Sequence, residues 1–306
     1  MSDESSTIAT NHHGRTGQRH GIAIGEGQIR RIFPVFVLAM WVTAGVLVAQ
    51  GRWSAVSTVL VVEALALCAI VFVNFVWVFN FGYAAAAVVL NATELGLEGA
   101  SPAALLVGGV LVLYGIRLFA FALRRLRHPS FAARAAGVRS AHRTLPTPIK
   151  VLLWLQTSTL FTFHALTTYT LAATDAPISV WVAIGAAVMA SGLGLETIAD
   201  LQKQRGKERA PQRWVDRGLF SRSRHPNYLG EISLQVGLLV CALGSASALG
   251  WGWVVPAVVL APTYIVLLMV SATTGAELAQ AQRYGDDPEF EAYVGRTGAL
   301  LPRLRS

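Results

Sequence analysis

Polar and charged side chains are concentrated in the sequence Gly218-Leu-Phe-Ser-Arg-Ser-Arg-His-Pro-Asn-Tyr-Leu-Gly-Glu231. An apolar run that is long enough to cross a bilayer follows directly. A charged residue near the centre of a bilayer costs about 2.5–3.5 kcal/mol on insertion scales, so charge this dense at the mouth of a membrane helix indicates a function. The sequence predicts one wall of a cofactor site on an integral-membrane enzyme.

The composition is that of a membrane protein with several spans. Hydrophobic residues make up 54% of the 306 residues, charged residues make up 14%, and the mean hydropathy is +0.51. A soluble protein carries about 25% charged residues. The net charge of +8 is carried by Lys and Arg in loops between apolar spans. This placement is typical of cytosolic membrane loops and excludes a nucleic-acid-binding surface.

Cysteine usage and short motifs exclude several classes of site. Cys68 and Cys241 each lie inside an apolar run and are interpreted as small buried hydrophobic side chains. Gly192-Leu-Gly194 lies inside a span and has no third glycine, so it does not predict a dinucleotide-binding strand and helix. We therefore predict neither a disulfide framework nor a metal site.

Apolar segments of the length needed to cross a bilayer recur along the chain. They lie near residues 32–50, 56–73, 77–92, 102–123, 149–172, 178–199, 227–244 and 250–271. Two crossings between residues 56 and 92 keep the basic loops 124–150 and 203–224 on the same, cytosolic side. We predict an all-α polytopic membrane helix bundle of about eight transmembrane helices, with both termini cytosolic.

The domain organisation follows from the same pattern. Residues 1–28 are polar and lack periodicity, which is typical of a disordered cytosolic tail. Residues 29–55 form an extra N-terminal span. Residues 56–306 form the main membrane domain, which includes a C-terminal cytosolic segment at 273–306. We predict a multi-pass protein of the bacterial inner (plasma) membrane, with its cofactor site facing the cytosol.

Polar side chains inside the spans mark the candidate site. Asn227, Glu231 and Gln235 recur every four residues and share one face of a helix. Glu196 and Asp200 end the preceding span, also four residues apart. The ends of these two helices carry both acidic and basic groups, which suits a large anionic ligand that forms hydrogen bonds. The alternative interpretation is that such groups pair with one another as structural contacts between helices.

Several groups of residues together match the pattern of a known family. They are Asp200-Leu-Gln-Lys203, Lys207, Gly218 to Glu231, Leu113-Tyr-Gly-Ile-Arg-Leu-Phe119, and the closing residues Tyr284, Pro288, Tyr293, Arg296-Thr297 and Pro302. This pattern, over roughly residues 75–303, resembles the DUF1295 family of membrane proteins. That family belongs with the steroid 5-alpha-reductase C-terminal superfamily. The string Arg-His-Pro-Asn-Tyr-Leu-Gly-Glu is its most specific part.

The resemblance implies an all-helical bundle, usually of seven spans, that buries NADPH in a cavity facing the cytosol. Hydride then passes to an activated carbon–carbon double bond of a sterol- or isoprenoid-like lipid. The implied catalytic residues are Tyr114, as hydrogen-bond or proton donor to an enone oxygen, and Glu63, as counterpart of a catalytic glutamate. With their neighbours, the matching positions give the predicted cofactor-binding residues: Glu196, Asp200, Lys203, Lys207, Arg224, His225, Asn227, Tyr228 and Glu231.

Two other functions stay open at this point. Isoprenylcysteine carboxyl methyltransferases, which use S-adenosylmethionine, share a string Arg-His-Pro-x-Tyr-x-Gly and an acidic tail that contains tyrosine. Their tail usually carries adjacent glutamates, whereas Glu277 stands alone in this chain. A lipid-binding or scaffold protein on the same frame is the non-enzymatic alternative. The predicted partners are a lipid-like small molecule and membrane lipid, and oligomeric state is left open.

Overall fold

The computed structural model describes residues 26–127, 132–249 and 252–303, which form ten α-helices and no β-strand. The helices are α1 (Glu26–Ala49), α2 (Ala55–Cys68), α3 (Phe81–Leu97), α4 (Pro102–Leu126), α5 (Ala132–Thr144), α6 (Thr147–Ala173), α7 (Val180–Arg209), α8 (Pro226–Leu249), α9 (Val254–Tyr284) and α10 (Pro288–Arg296). The predicted tail at residues 1–28 lies outside the described residues, except for the first residues of α1. Between them, these helices confirm the predicted all-α class.

Eight of the helices coincide with the eight apolar segments predicted from the sequence. Within the described residues, six of them (α1, α2, α4, α7, α8 and α9) are long and apolar enough to cross a membrane. Helix α3 is shorter, with 17 residues, and α6 has 27 residues but carries many hydroxyl side chains. The chain is therefore an integral membrane protein with multiple spans.

The segment from 56 to 92 forms two helices, as predicted. Ser54 begins α2 by accepting a hydrogen bond of 3.0 Å from the backbone N–H of Ser57. After α2, two short 3₁₀ turns reverse the chain before α3. Asn74 Oδ1 accepts from the backbone N–H of Val76 at 3.0 Å, and Asn80 Nδ2 donates to the Val76 carbonyl at 3.2 Å. These two amides satisfy the backbone of the turn.

Two helices run further than the sequence predicts. Helix α7 continues through Arg209, well past the predicted end of its apolar span at 199. Residues 277–284 continue α9 without a break, so the C-terminal segment predicted at 273–306 begins inside that helix. Leu, Ala, Gln and Glu dominate there and favour helix, whereas the first breaking signal comes only at Gly285. Asp287 then begins α10, and its side chain accepts from the backbone N–H of Glu289 at 2.9 Å.

Helix α1 is an integral part of the bundle. Trp41 Nε1 donates to Thr159 Oγ1 on α6 at 3.0 Å. Phe33 and Phe36 pack against the ring of Tyr264 on α9, with centroids 4.6 and 6.0 Å apart. The predicted extra N-terminal span therefore covers α6 and α9.

Glycines bring α7 and α8 into close contact. A Cβ atom added at Gly237 of α8 would lie 2.5 Å from the carbonyl oxygen of Gly185 on α7. A Cβ atom added at Gly230 would lie 2.6 Å from the backbone nitrogen of Glu196. Gly192 faces the carbonyl of Gly230 in the same way. Small residues at such spacing allow two membrane helices to pack backbone against backbone.

We expect Gly237→Ala to destabilise the protein by about 1–3 kcal/mol, because the added methyl group overpacks the α7–α8 contact. The measurement is thermal unfolding of the purified protein in detergent. Gly194→Ala is the matched control, since nothing lies within 4 Å of a Cβ atom added at that position of α7. The control is expected to be neutral or stabilising by up to about 1 kcal/mol, through helix propensity. Equal stability of the two variants would contradict the packing role of Gly237.

Candidate functional site

Glu231 is the centre of a buried hydrogen-bond network. Its carboxylate accepts from Tyr114 Oη of α4 at 2.6 Å, and from Tyr83 Oη of α3 at 3.2 Å. Gln235, one turn further along α8, donates to Glu231 at 2.9 Å and to Tyr83 Oη at 2.9 Å. All four side chains are buried. Three donors satisfy one carboxyl group in an otherwise apolar interior, which makes this network specific in geometry.

His164 of α6 extends the network. Its Nε2 lies 3.1 Å from Gln235 Oε1, and its ring meets that of Tyr83 edge to face with centroids 5.8 Å apart. Phe161, also on α6, stacks against Tyr83 at 5.1 Å. These contacts hold the Tyr83 ring in place and direct its hydroxyl group to Glu231.

Arg117 forms a second layer of the site. It lies one helical turn beyond Tyr114 on α4, and its guanidinium group bridges two acids of α7. The contact with Glu196 Oε1 measures 2.7 Å, and a second hydrogen bond goes to Asp200 Oδ2. The two acids are four residues apart and so share one face of α7. The pair predicted from the sequence is therefore held by a single base from α4.

Within the part of the chain that the structure describes, two buried acceptors at this level have no hydrogen-bond partner. They are Glu196 Oε2 and Asn227 Oδ1. Leaving a buried acceptor unpaired costs about 1–3 kcal/mol, and folded proteins do so rarely. The two residues lie on α7 and α8, which meet at Gly230. A ligand with N–H or O–H donors would satisfy both oxygen atoms.

Arg224 and His225 join the start of α8 to the C-terminal part of the chain. Arg224 donates to the Glu277 carboxylate of α9 at 2.5–3.0 Å and to the Thr297 carbonyl at 2.5 Å. His225 Nε2 lies 2.8 Å from Glu277 Oε1. The backbone N–H of Arg224 donates to the Gly298 carbonyl at 2.9 Å. We call these five residues the C-terminal clasp.

Burial determines the protonation state of the His225 ring. Burial lowers the pKa of His225 below its ordinary value, although the contact with Glu277 acts in the opposite direction. The ring is therefore neutral at pH 7, and with its proton on Nε2 it donates to Glu277. The ring of Tyr228 stacks against the ring of His225, with centroids 5.4 Å apart.

Lys207 holds the loop that follows α7. Its Nζ donates to the Arg213 carbonyl at 2.5 Å and to Tyr284 Oη at 3.1 Å. The adjacent Trp214 packs in a small cluster with Phe290 and Tyr293 of α10. Lys207 thus connects the loop to the end of α9, and Trp214 packs the loop against α10.

The structure divides the predicted site residues into two groups. Around the Glu231 network and Arg117 lie Tyr114, Glu196, Asp200, Lys203, Asn227 and Glu231. In or beside the clasp and the loop after α7 lie Lys207, Arg224, His225 and Tyr228. Glu63 joins neither group, because its Oε1 accepts from Thr93 Oγ1 of α3 at 2.8 Å. The structure does not bring Glu63 to Tyr114.

Five contributors are not among the residues assigned a catalytic or cofactor-binding role from the sequence, although Gln235 belongs to the predicted stripe with Asn227 and Glu231. They are Tyr83, Arg117, His164, Gln235 and Glu277. The sequence contained a signal for Arg117 and Gln235, because each of them lies on the same helical face as a residue that was predicted to belong to the site. Tyr83 had none, since it stands alone at the start of an Ala-rich helix and only tertiary packing brings it to Glu231.

One comparison with known proteins identifies a relationship. The model of a family described as a protein of unknown function, DUF1295, matches residues 39–297. The match begins inside α1 and ends in the clasp, and it confirms the resemblance seen in the sequence. No curated protein and no solved structure matches the chain.

Replacing Arg224 by Lys tests the clasp. We expect Arg224→Lys to cost about 1.5–3 kcal/mol, because a lysine cannot keep both the forked contact with Glu277 and the hydrogen bond to the Thr297 carbonyl. Arg213→Lys is the control, since Arg213 and its partner Glu289 have side chains that are 49% and 69% exposed. Exposed pairs contribute about 0–1 kcal/mol. Limited proteolysis at residues 285–303, with thermal unfolding, should separate the variants, and equal resistance would contradict the clasp.

Proposed function

We propose that this chain, which belongs to the DUF1295 family, is an integral-membrane reductase that uses NADPH. Its substrate class is a sterol- or isoprenoid-like lipid with an activated carbon–carbon double bond. The observation that carries the proposal is the buried hydrogen bond of 2.6 Å between Tyr114 and Glu231. The Tyr114 hydroxyl group is buried in the bundle, one helical turn from Arg117. It therefore suits a reaction that needs a proton donor in apolar surroundings.

The need for a proton donor favours reduction over methyl transfer. Adding hydride to an enone leaves an enolate, so a positioned acid near the carbonyl oxygen lowers the barrier by about 10²–10⁴-fold in rate. Transfer of a methyl group to a carboxylate requires no such acid. Tyr114 and Tyr83, both bound to Glu231, provide hydroxyl groups in the interior of the bundle.

The residues of the second layer fit NADPH. Asn227 Oδ1 and Glu196 Oε2 are buried acceptors that have no partner among the described residues, which suits the amide and hydroxyl donors of the cofactor. Arg124, near the end of α4, and Arg222, shortly before α8, are exposed and suit its phosphate groups. NADPH, when bound, supplies the hydride.

The proton steps fall to the chain's own residues. Tyr114 turns its hydroxyl group from Glu231 toward the carbonyl oxygen of the substrate and gives up the proton as negative charge develops there. A proton from solvent then restores Tyr114, whose hydroxyl group returns to the Glu231 carboxylate that Gln235 and Tyr83 keep oriented. Arg117 offsets the negative charge of this region, since it lies one turn away on α4. One hydride and one proton are consumed in each cycle.

One observation favours the methyltransferase as a second candidate. Glu277, the acid of the C-terminal segment, contacts both Arg224 and His225 of the shared string. In this chain the three side chains engage one another and the Thr297 carbonyl, so their donors are already used. The arrangement therefore supports a structural clasp better than a binding site for S-adenosylmethionine.

Thermal unfolding with each cofactor separates the two candidates. A ligand at 100 times its dissociation constant adds about 2.7 kcal/mol of stability. We expect NADPH to raise the melting temperature of the purified protein saturably, and S-adenosylmethionine to leave it unchanged. Stabilisation by S-adenosylmethionine alone would overturn the reductase in favour of the second candidate.

Two substitutions distinguish NADPH binding from the chemical step. Asn227→Ala should weaken NADPH binding about five- to tenfold, which corresponds to one hydrogen bond of about 1 kcal/mol. Tyr114→Phe should retain NADPH binding but lower NADPH oxidation, measured with total membrane lipid as substrate, by about 10²–10⁴-fold. Tyr169→Phe is the control for the hydroxyl deletion, because Tyr169 lines a separate cleft together with Leu47 and Trp53. Full activity of Tyr114→Phe would contradict its role as the acid.

A further inference from the structure

A cleft lies where α1 ends and α2 begins, and α6 and α9 complete its walls. Its volume is about 130 Å³. The walls include the apolar side chains of Leu47, Leu166 and Ala257, together with Arg52 and Trp53 from the loop between α1 and α2. No residue of the Glu231 network lines it. We call this feature the α1–α2 cleft.

The course of the chain places the α1–α2 cleft far from the C-terminal clasp. Helix α6 ends at Ala173, which lines the cleft, and α7 begins shortly afterwards at Val180. Helix α7 then extends for 30 residues, which is about 45 Å at 1.5 Å per residue, and ends beside the loop that Lys207 holds. The cleft therefore lies at the opposite end of the spans, at the level where a membrane meets water.

Arg52 gives this end of the bundle its positive charge. It is the one Lys or Arg residue in the connections that precede α2, α4, α7 and α9. Its side chain is exposed, and it forms no hydrogen bond or ion pair with another described residue. Asp175, in the turn after α6, is exposed as well, but no ion pair joins it to Arg52. The guanidinium group is thus available to an anion from outside the chain.

The neighbouring donors are already used within the protein. Thr170 Oγ1 and Thr174 Oγ1 donate to carbonyl groups of α6 at 2.8 and 2.6 Å. Trp53 Nε1 donates to Thr58 Oγ1 at 3.2 Å. Arg52 therefore supplies the charged donors of the cleft, and a guanidinium group forms forked hydrogen bonds with the oxygen atoms of a phosphate.

The N-terminus of α9 adds to the preference for an anion. Val254, the first residue of this helix of 31 residues, lines the cleft. The N-terminus of a helix carries a partial positive charge and favours negatively charged groups. Among the described residues that line the cleft there is no Asp or Glu. The ammonium group of a zwitterionic lipid would therefore find no carboxylate partner there.

We propose that the α1–α2 cleft binds one anionic phospholipid, with its phosphate group on Arg52 and the start of an acyl chain in the cleft. Pockets for whole small molecules have volumes of about 300–1,000 Å³, so this cleft accommodates only part of a ligand. A phospholipid meets that condition, because the rest of its chains lies against the exposed apolar surface of α1 and α2, which includes Val48 and Val59.

The bound lipid would connect four helices. Helices α1, α2, α6 and α9 each contribute to the cleft, and they pack against one another below it. Helix α6 also carries Phe161 and His164, which contact the ring of Tyr83. The lipid would thus stabilise a helix that supports the Glu231 network without contacting the network itself.

The test is thermal unfolding of the full, delipidated chain in a neutral detergent. NADPH is left out, so the result is independent of the proposed reductase. Phosphatidylglycerol, phosphatidylcholine and inorganic phosphate are titrated separately. We expect phosphatidylglycerol to raise the melting temperature saturably, phosphatidylcholine to bind about tenfold more weakly, and inorganic phosphate to leave the melting temperature unchanged.

Two variants and a matched control locate the bound lipid. Arg52→Gln should weaken the apparent affinity for phosphatidylglycerol about tenfold, as expected for the loss of a charged hydrogen bond. Ala173→Phe fills the cleft from its exposed edge without a change of charge, and should weaken it to a similar extent. Arg139→Gln removes an equal charge from an exposed position of α5 and should keep the full shift.

Three results would overturn the lipid site. The first is that phosphatidylglycerol stabilises the wild type no more than phosphatidylcholine does, which would leave Arg52 and Trp53 as general interfacial anchors. The second is that Arg52→Gln keeps the full shift, which would place the lipid elsewhere. The third is that inorganic phosphate alone reproduces the shift, which would remove the acyl chain from the site. If Ala173→Phe fails to fold, the comparison of Arg52→Gln with Arg139→Gln decides the question.

Discussion

The close contact of α7 with α8 is the constraint on which the polar site depends. Gly230 and Gly192 let the two backbones approach, so Glu231, which follows Gly230, is held near Glu196 of α7. Two carboxylates held close together in a membrane interior repel each other unless cations or hydrogen-bond donors compensate their negative charge. Arg117 pairs with Glu196, and Tyr114 donates to Glu231. The site therefore requires α4 to pack against the glycine-mediated helix pair.

The polar groups of the clasp and those of the second layer differ in whether their hydrogen-bonding atoms are paired. In the clasp, Arg224 and Glu277 satisfy each other and hold the C-terminal segment over the start of α8. In the second layer, Glu196 Oε2 and Asn227 Oδ1 have no hydrogen-bond partner among the described residues. A protein tolerates such a cost mainly where a ligand relieves it, and for this reason we propose that the second layer, and not the clasp, binds the cofactor.

The sequence predicted the spans because hydropathy and loop charge are local properties, and the eight segments coincide with eight helices. It predicted Glu231 and Asn227 because an i, i+4 stripe is visible in one helix. It could not predict Tyr83 or the pairing of Arg224 with Glu277, since those contacts join residues 148 and 53 positions apart. The glycines at 185, 192, 230 and 237 did carry a signal, because a spacing of seven keeps small residues on one helical face.

Transfer of deuterium from NADPH deuterated at the reactive carbon is the most direct measurement of the central claim. The purified protein in lipid vesicles is supplied with total membrane lipid, and the products are examined by mass spectrometry. A reductase built on Tyr114 and Glu231 should yield a lipid that gains one deuterium from the cofactor and one proton from solvent. Tyr114→Phe should lower the rate at which that product forms by about 10²–10⁴-fold. A labelled methyl group transferred from S-adenosylmethionine, with no deuterium in any lipid, would contradict the assignment.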